Sequence, residues 1–472
     1  MDLLNTEFKR KFSLTLYKNL KLSLGQMSFY KDFVNDKRGD LYPILSKTDD
    51  CTESVERNIY STRGGEVRRR AFQFFPYATY ELNARVECGS VGFAFILPNV
   101  SASLLVSNER LTFSCGERTE EKPLPDYVSD DITLVVSCRP SAFDVYFETN
   151  GKPEYYCSFK DESFNDSNLY QSFTNGSVAL CVEGEIEVEH VLSYIDSGIS
   201  LADYRPIRYE NGEIMVENGK IYFTASIRMQ EEMFQGIFSL IPSTAELELC
   251  GALFYDSGDG KWCGDVAVSM LYHRAEKKWL LWVCSFAHDH VLGHAEFEGD
   301  VRFGVNVVDI TLMQKAPEGA DRTEFLGFSG DEDPDFFYDA KADRWLMAIC
   351  RLDTNRAYRY MFFESKSPFE GYRFIGKGLE GAETGGSFVK VDGKQLFVCG
   401  NDFKKTSDYR IYSADGMINA KFDFCDGGFR GWGTLMPIKM GTRTRYFWIT
   451  FDRHNGSSYN WSYGNFYCFE AQ

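Results

Sequence analysis

The 472-residue sequence predicts an all-β protein, with an N-terminal β-sandwich of jelly-roll type over residues 1–197 and a five-bladed β-propeller over residues 198–472. Three observations carry that expectation. Helical periodicity is scarce, while aromatic residues make up 16% of the chain, a composition that suits β cores. From about Asn58 to Ile195, short alternating runs such as "SVGFAFILP", "ASLLVS" and "ITLVVSC" are separated by turn residues at sandwich spacing. Beyond Ser197, a hairpin with an apolar, aromatic-bearing return strand recurs five times.

Taken in order, the first 50 residues carry the weakest pattern. The strands of the sandwich follow, from "FQFFPYATYELNARVE" to "GSVALCVEG" and "EIEVEHVLSYID". The segment Ser197–Glu213, "SGISLADYRPIRYENGE", links to the repeats. These are "ENGEIMVENGKIYFTASIR", "GDVAVSMLYHRAEKKWLLWVCSF", "EDPDFFYDAKADRWLMAICR", "ETGGSFVKVDGKQLFVCGND" and "GWGTLMPIKMGTRTRYFWITFD". Tyr222, Trp279, Trp345, Leu396 and Tyr446 mark equivalent points at intervals of 50 to 66 residues. Each interval has room for about four strands, one propeller blade.

Charge and cysteine usage narrow the class. A formal net charge of −18 and a pI near 4.9 argue against nucleic acid or an anionic membrane as partner, because both require a basic face. No run of about 18 apolar residues is present, so no membrane span is expected. The opening "MDLLNTEFKRKFSLTL" lacks the apolar core of a secretory signal, which makes the cytoplasm the expected location. The 13 cysteines are scattered without a Cys-x-x-Cys pair, as in a protein of a reducing compartment.

In a propeller, the innermost strands line the axis and their first residues converge at one mouth. Counted back from the aromatic markers, Glu210, Asp265, Asp333 and Glu383 stand 12 to 14 residues upstream, so four blades would place an acid there. The fifth places Gly431-Trp432-Gly433. Any one of these acids alone reads as a turn cap. Together they would repel, so that some hold a proton while others stay ionised, which is what glycoside hydrolysis requires.

At these residues the propeller half resembles the five-bladed β-propeller glycoside hydrolases, the group of invertases, levanases, arabinanases and β-xylosidases. The likeness covers about 270 residues, carried by strand–turn pattern and two short motifs. "EDPDFF" resembles the third-blade Asp-Pro turn, which implies that Asp333 orients substrate. "AETGGSFVKVDGKQLFV" is similar to the fourth-blade segment, which implies that Glu383 is the general acid. The first blade departs from the pattern: "YENGEIMVENGKIYF" offers Glu210 where an Asp is expected, with Asp203 and Asp265 as alternatives for base or nucleophile. The N-terminal half resembles concanavalin/laminin-G-type jelly rolls in strand order alone.

The same topology nominates substrate-binding residues. "SFAHDHVLGH" in blade two brings His288 and His290; a His-x-His pair can bind a metal, but hydrogen bonds to sugar hydroxyls or a solvated loop are the favoured readings. Arg351 is expected to pair with Asp333 and keep it ionised. Asp402, Arg453 and His454 follow at the blade-four and blade-five loops, and Trp432 could stack on a sugar ring.

These features lead to an expected glycoside hydrolase cleaving short oligosaccharides, furanosides such as fructosides or arabinosides by resemblance, without metal or organic cofactor. Glu210, Asp333 and Glu383 are its expected catalytic carboxylates, with Asp265 binding substrate. The competing expectation is a non-catalytic carbohydrate-binding or scaffolding propeller, with the sandwich as the element that would make a homo-oligomer.

Overall fold

The computed structural model describes residues 6–29, 42–352, 358–379, 383–401, 409–423, 433–451 and 465–472. The chain folds as two units. One comprises Met1–Leu20, Ser197–Asp259 and Cys263–Gln472; the other comprises Lys21–Asp196 with Gly260–Trp262.

The first unit is a five-bladed propeller. Blade one runs outward from Ser200–Pro206 through Lys220–Arg228, Met233–Ile241 and Glu246–Asp256. Blade two runs from Val266–His273 through Lys278–Ser285 to Val291–Phe297, and blade three from Asp331–Asp339 to Arg373–Lys377. Blade four runs from Glu383–Val391 to Gly416–Asn419. Blade five begins at Thr434–Met440 and passes through Arg443–Phe451 and Phe466–Ala471. The N-terminal strand Glu7–Leu14 completes it, antiparallel to Phe466–Ala471. The expected domain span of 1–197 is therefore corrected: the first twenty residues group with the propeller, because their strand closes its last blade.

Apolar layers between neighbouring blades supply the core. Met270, Trp279 and Leu281 meet Ile207, Ile237 and Leu253 between blades one and two. Trp345, Met347 and Phe363 pack on Leu280 and Trp282. Phe8 of the N-terminal strand joins Val398, Leu435 and Trp448. Strand alternation sends these residues into the layers and leaves the polar ones for the axis and the rims.

The second unit is a continuous thirteen-stranded hydrogen-bond network. Its spine is two long antiparallel strands, Thr79–Ile96 and Ser177–Asp196. Gly89 and Gly184 face each other in it at φ 109° and 91°. A Cβ on Gly89 would lie 1.9 Å from the Glu183 carbonyl oxygen, so only glycine fits there. Phe93, Phe95, Phe113, Phe143 and Phe159 are buried in this unit.

Candidate active site

The inner strands of blades one to four share one local device. Their pairing with the second strand slips between Ala202 and Arg205, Val266 and Ser269, Glu332 and Asp335, and Thr384 and Ser387. At each slip one residue is left-handed: Asp203 (φ 54°), Ala267 (φ 57°), Asp333 (φ 49°) and Gly385 (φ 60°). Such a bulge re-aims a side chain, and a non-glycine residue there costs about 1–3 kcal/mol. Two of the four are aspartates.

This frame reorganises the expected carboxylates. Asp203 and Asp333 occupy the same position in blades one and three. Both are buried, 3% and 6% exposed. Burial pushes both carboxyls up from the ordinary range, with a neighbouring carboxylate reinforcing it and an arginine opposing it at each. For Asp203 the Arg228 guanidinium opposes burial and Asp333 reinforces it. For Asp333 Arg205 opposes burial and Glu332 reinforces it. Asp333 Oδ2 accepts from the Thr384 hydroxyl at 2.9 Å and the Gly385 N–H at 3.1 Å. Asp203 Oδ2 lies 3.4 Å from Arg228.

Asp265 and Glu383 stand two residues before the left-handed position, where Asp331 is their blade-three counterpart. All three are enclosed by donors. Asp265 accepts from Ser285 Oγ at 2.6 Å and from the Ala287 N–H at 3.1 Å. Asp331 is gripped by Arg351 through Nε at 2.6 Å and Nη2 at 2.9 Å. Arg351 therefore pairs with Asp331, and its expected pairing with Asp333 is corrected. Glu383 is 0% exposed and accepts from Arg410 Nη1 at 2.9 Å, the Tyr412 hydroxyl and the Tyr360 N–H at 3.2 Å.

Glu210 does not join this group. It follows Arg208–Tyr209, a short strand parallel to the far end of blade two's inner strand at Leu271 and Tyr272. Its carboxylate is held by Arg274, with Nη2 at 2.7 Å, and its N–H donates to the Tyr272 carbonyl. That inner strand runs Val266–His273 and Tyr272 lies six residues beyond Val266, so at about 3.3 Å per residue Glu210 sits about 20 Å along it from the mouth. The miscount has a local cause. Between Pro206 and Lys220 the chain detours through Arg208–Tyr209 and Val216–Glu217, which lengthens blade one's first hairpin and displaces Asp203 from the expected spacing.

Further along the inner strands, Arg208 is 2% exposed and ties blades two, three and four together. Its Nη1 and Nη2 reach both oxygens of Asp335, at 3.1 and 2.5 Å, and it donates to the Phe388 and Phe336 carbonyls and to Ser269 Oγ. Above it, Arg205 is 1% exposed and donates from Nη1 to the Gly385 carbonyl at 3.2 Å. Its Nε and Nη2 have no hydrogen-bond partner among the described residues. Neither arginine was singled out from the sequence; an arginine pair in "DYRPIR", inside an acidic protein and at a strand start, was the available signal.

At the rim, His288 is spanned by Ser285 Oγ at 2.8 Å and Ser257 Oγ at 3.1 Å. His290 Nδ1 lies 2.8 Å from Glu332 Oε1. Among the described residues no cluster of three or more His, Cys, Asp or Glu side chains is arranged to hold a metal. Asp402, Trp432, Arg453 and His454 lie outside the described residues.

No family model and no curated protein matches the sequence. Among solved structures the chain is similar to a GH62 hydrolase in complex with xylotriose, at 10% identity and TM-score 0.39, over 58% of this chain and 91% of that one. It is similar to an alpha-L-arabinofuranosidase from Podospora anserina in complex with cellotriose, at 10% identity and TM-score 0.38, over 58% and 91%. It is also similar to a family 117 glycoside hydrolase of Zobellia galactanivorans, at 11% identity and TM-score 0.39, over 58% and 84%.

Proposed function

We propose that the propeller mouth hydrolyses glycosidic bonds in short oligosaccharides, with furanosides as the class to which the sequence resemblance points. The observation that carries this reading is the Asp203–Asp333 pair. Two carboxyls from different blades are buried together in strained backbone, both with raised affinity for protons.

Asp203 is the group that acts on the anomeric carbon, directly or through a water, and its Arg228 neighbour favours the ionised form that this needs. Asp333, tethered through one oxygen to Thr384 and Gly385, holds the sugar ring and keeps Asp203's proton affinity high. Hydrolysis by carboxyl groups requires no cofactor.

Glu383 as general acid would have to leave Arg410, Tyr412 and the Tyr360 N–H, since both its oxygens are engaged. That enclosure favours a second reading, a carbohydrate-binding propeller without turnover. The test is release of p-nitrophenol from a panel of furanosides and pyranosides, with reducing-sugar release from fructo- and arabino-oligosaccharides. The hydrolase reading expects turnover by wild type and its loss in Asp203→Asn and Asp333→Asn. Binding of the same sugars by all three proteins without product would overturn it in favour of the binder.

A further inference from the structure

Hydrolysis of an unactivated glycoside needs a proton for the leaving oxygen, and the expected donor, Glu383, is sealed in by three hydrogen-bond donors. The loop between the second and third strands of blade two returns to the mouth at which the inner strands begin, because Cys284 pairs with Val266. This loop carries His290. Asp289 and His290 are both left-handed, at φ 61° and 57°, and the ring rests edge-on against Phe286 with centroids 4.3 Å apart. Nδ1 faces the Glu332 carboxylate at 2.8 Å. Nε2 makes no hydrogen bond with a described residue, and the side chain is 37% exposed. Glu332 immediately precedes Asp333, and its charge is felt there.

We propose that His290, oriented by Glu332, is the proton donor of this site. The inference rests on the hydrolase reading above. A carboxylate at Nδ1 fixes the ring and the tautomer and stabilises the imidazolium, leaving Nε2–H as the acidic hydrogen at the rim. In the step, the bond from the anomeric carbon to the leaving oxygen breaks, and the Nε2 proton passes to that oxygen to complete an alcohol. Water supplies the hydroxyl to the anomeric carbon and its proton goes to Asp203. Solvent then carries that proton back to imidazole, so the net change is one water consumed.

Among the described residues, the charged groups that act most strongly on His290 are carboxylates: Glu332 from blade three, Asp289 on its own loop, itself 3.5 Å from Lys315, and Asp265 from blade two. The hydrogen bond to Glu332 raises the imidazole's affinity for its proton, and burial opposes it to a smaller degree. The proton is therefore held to higher pH than on an ordinary imidazole and lost as pH rises through the folded value, which sets an alkaline limb on activity.

The experiment compares two substrates with one glycone, one carrying 2,4-dinitrophenolate and one carrying a sugar alcohol as leaving group. His290→Gln is expected to lose about 10²–10⁴-fold in kcat/KM on the sugar and under about 10-fold on the dinitrophenyl substrate, which needs no proton. Its alkaline limb should vanish, and Glu332→Gln should move that limb to lower pH. Both side chains are partly exposed, and an unchanged thermal midpoint would confirm that the variants fold. Equal losses on both substrates, or none, would overturn the assignment of His290 while leaving the hydrolase reading intact, provided Asp203→Asn still abolishes turnover. Silence of the wild type on both substrates would overturn the two together.

Discussion

Two buried acid clusters, one in each unit, show what separates a carboxylate that holds a fold from one that is available for chemistry. In the thirteen-stranded unit, Glu81 is 4% exposed, about as buried as Asp203. It receives Lys21 Nζ at 2.6 Å, the Tyr194 hydroxyl at 2.6 Å and His190 Nε2 at 3.2 Å. Burial alone would raise its pKa, but these three partners overcome it and hold the group at about 2. Asp203 and Asp333 are as deeply buried, yet burial prevails and both go up. The difference lies in which influence wins: at Glu81 the donors outweigh burial, and at the two mouth aspartates burial, reinforced by a neighbouring acid, outweighs the donors.

The sharpest way to break this contrast is to remove charge at the mouth. Asp203→Asn or Asp333→Asn should cost about 10²–10⁴-fold in kcat/KM. Asparagine tolerates the left-handed backbone, so the fold should survive, and the thermal midpoint should stay or rise at pH 7 as a buried charge is lost. A fall in midpoint matching the fall in activity would erase the distinction. Next in size is Glu383→Gln, which leaves Arg410 facing a neutral partner. It should destabilise the propeller by about 3 kcal/mol in denaturant titration, and its effect on turnover should not depend on the leaving group.

Acid titration sharpens the comparison because the two clusters have opposite signs. Glu81's folded pKa of about 2 lies below its ordinary value of 4.5. Its contribution of about 3 kcal/mol is complete well above pH 4.5 and should be lost as pH falls toward 2. Asp203 and Asp333 are raised, so protonation relieves them and the mouth should gain relative stability as pH falls through their folded values. Hydrogen exchange along Thr79–Ile96 and Asp331–Asp339 reports the two responses separately. The smallest effect is expected for Glu210→Gln. Its partly exposed pair with Arg274 is worth under about 1 kcal/mol, and turnover should not change.

The propeller was legible because every blade repeats one hairpin, and hairpins are local. The N-terminal strand was not, since Glu7–Leu14 finds its partner at Phe466–Ala471, some 450 residues away, and nothing within either segment records that pairing. Among the acids, the "EDPD" turn marks Asp333, which stands at the left-handed position of its inner strand. Counting from aromatic markers failed wherever the chain departed from the regular hairpin. The detour after Pro206 hid Asp203 and promoted Glu210 in its place. Asp265 and Glu383 stand two residues before the left-handed position that Asp333 occupies, and counting from the markers did not register that offset. Which acid meets an arginine is also a tertiary fact. Arg351 reaches Asp331, directly across the ladder, and not the bulged Asp333.

The most direct test of the account is chemical rescue of Asp203→Gly, a change that the left-handed backbone accepts. On the best aryl glycoside for the wild type, the variant should be inactive alone. Added azide or formate, entering the space left by the carboxylate, should restore turnover in a concentration-dependent way. Full activity in the variant without any added anion would contradict the assignment of Asp203, and with it the claim that the buried aspartate pair at the mouth performs the chemistry.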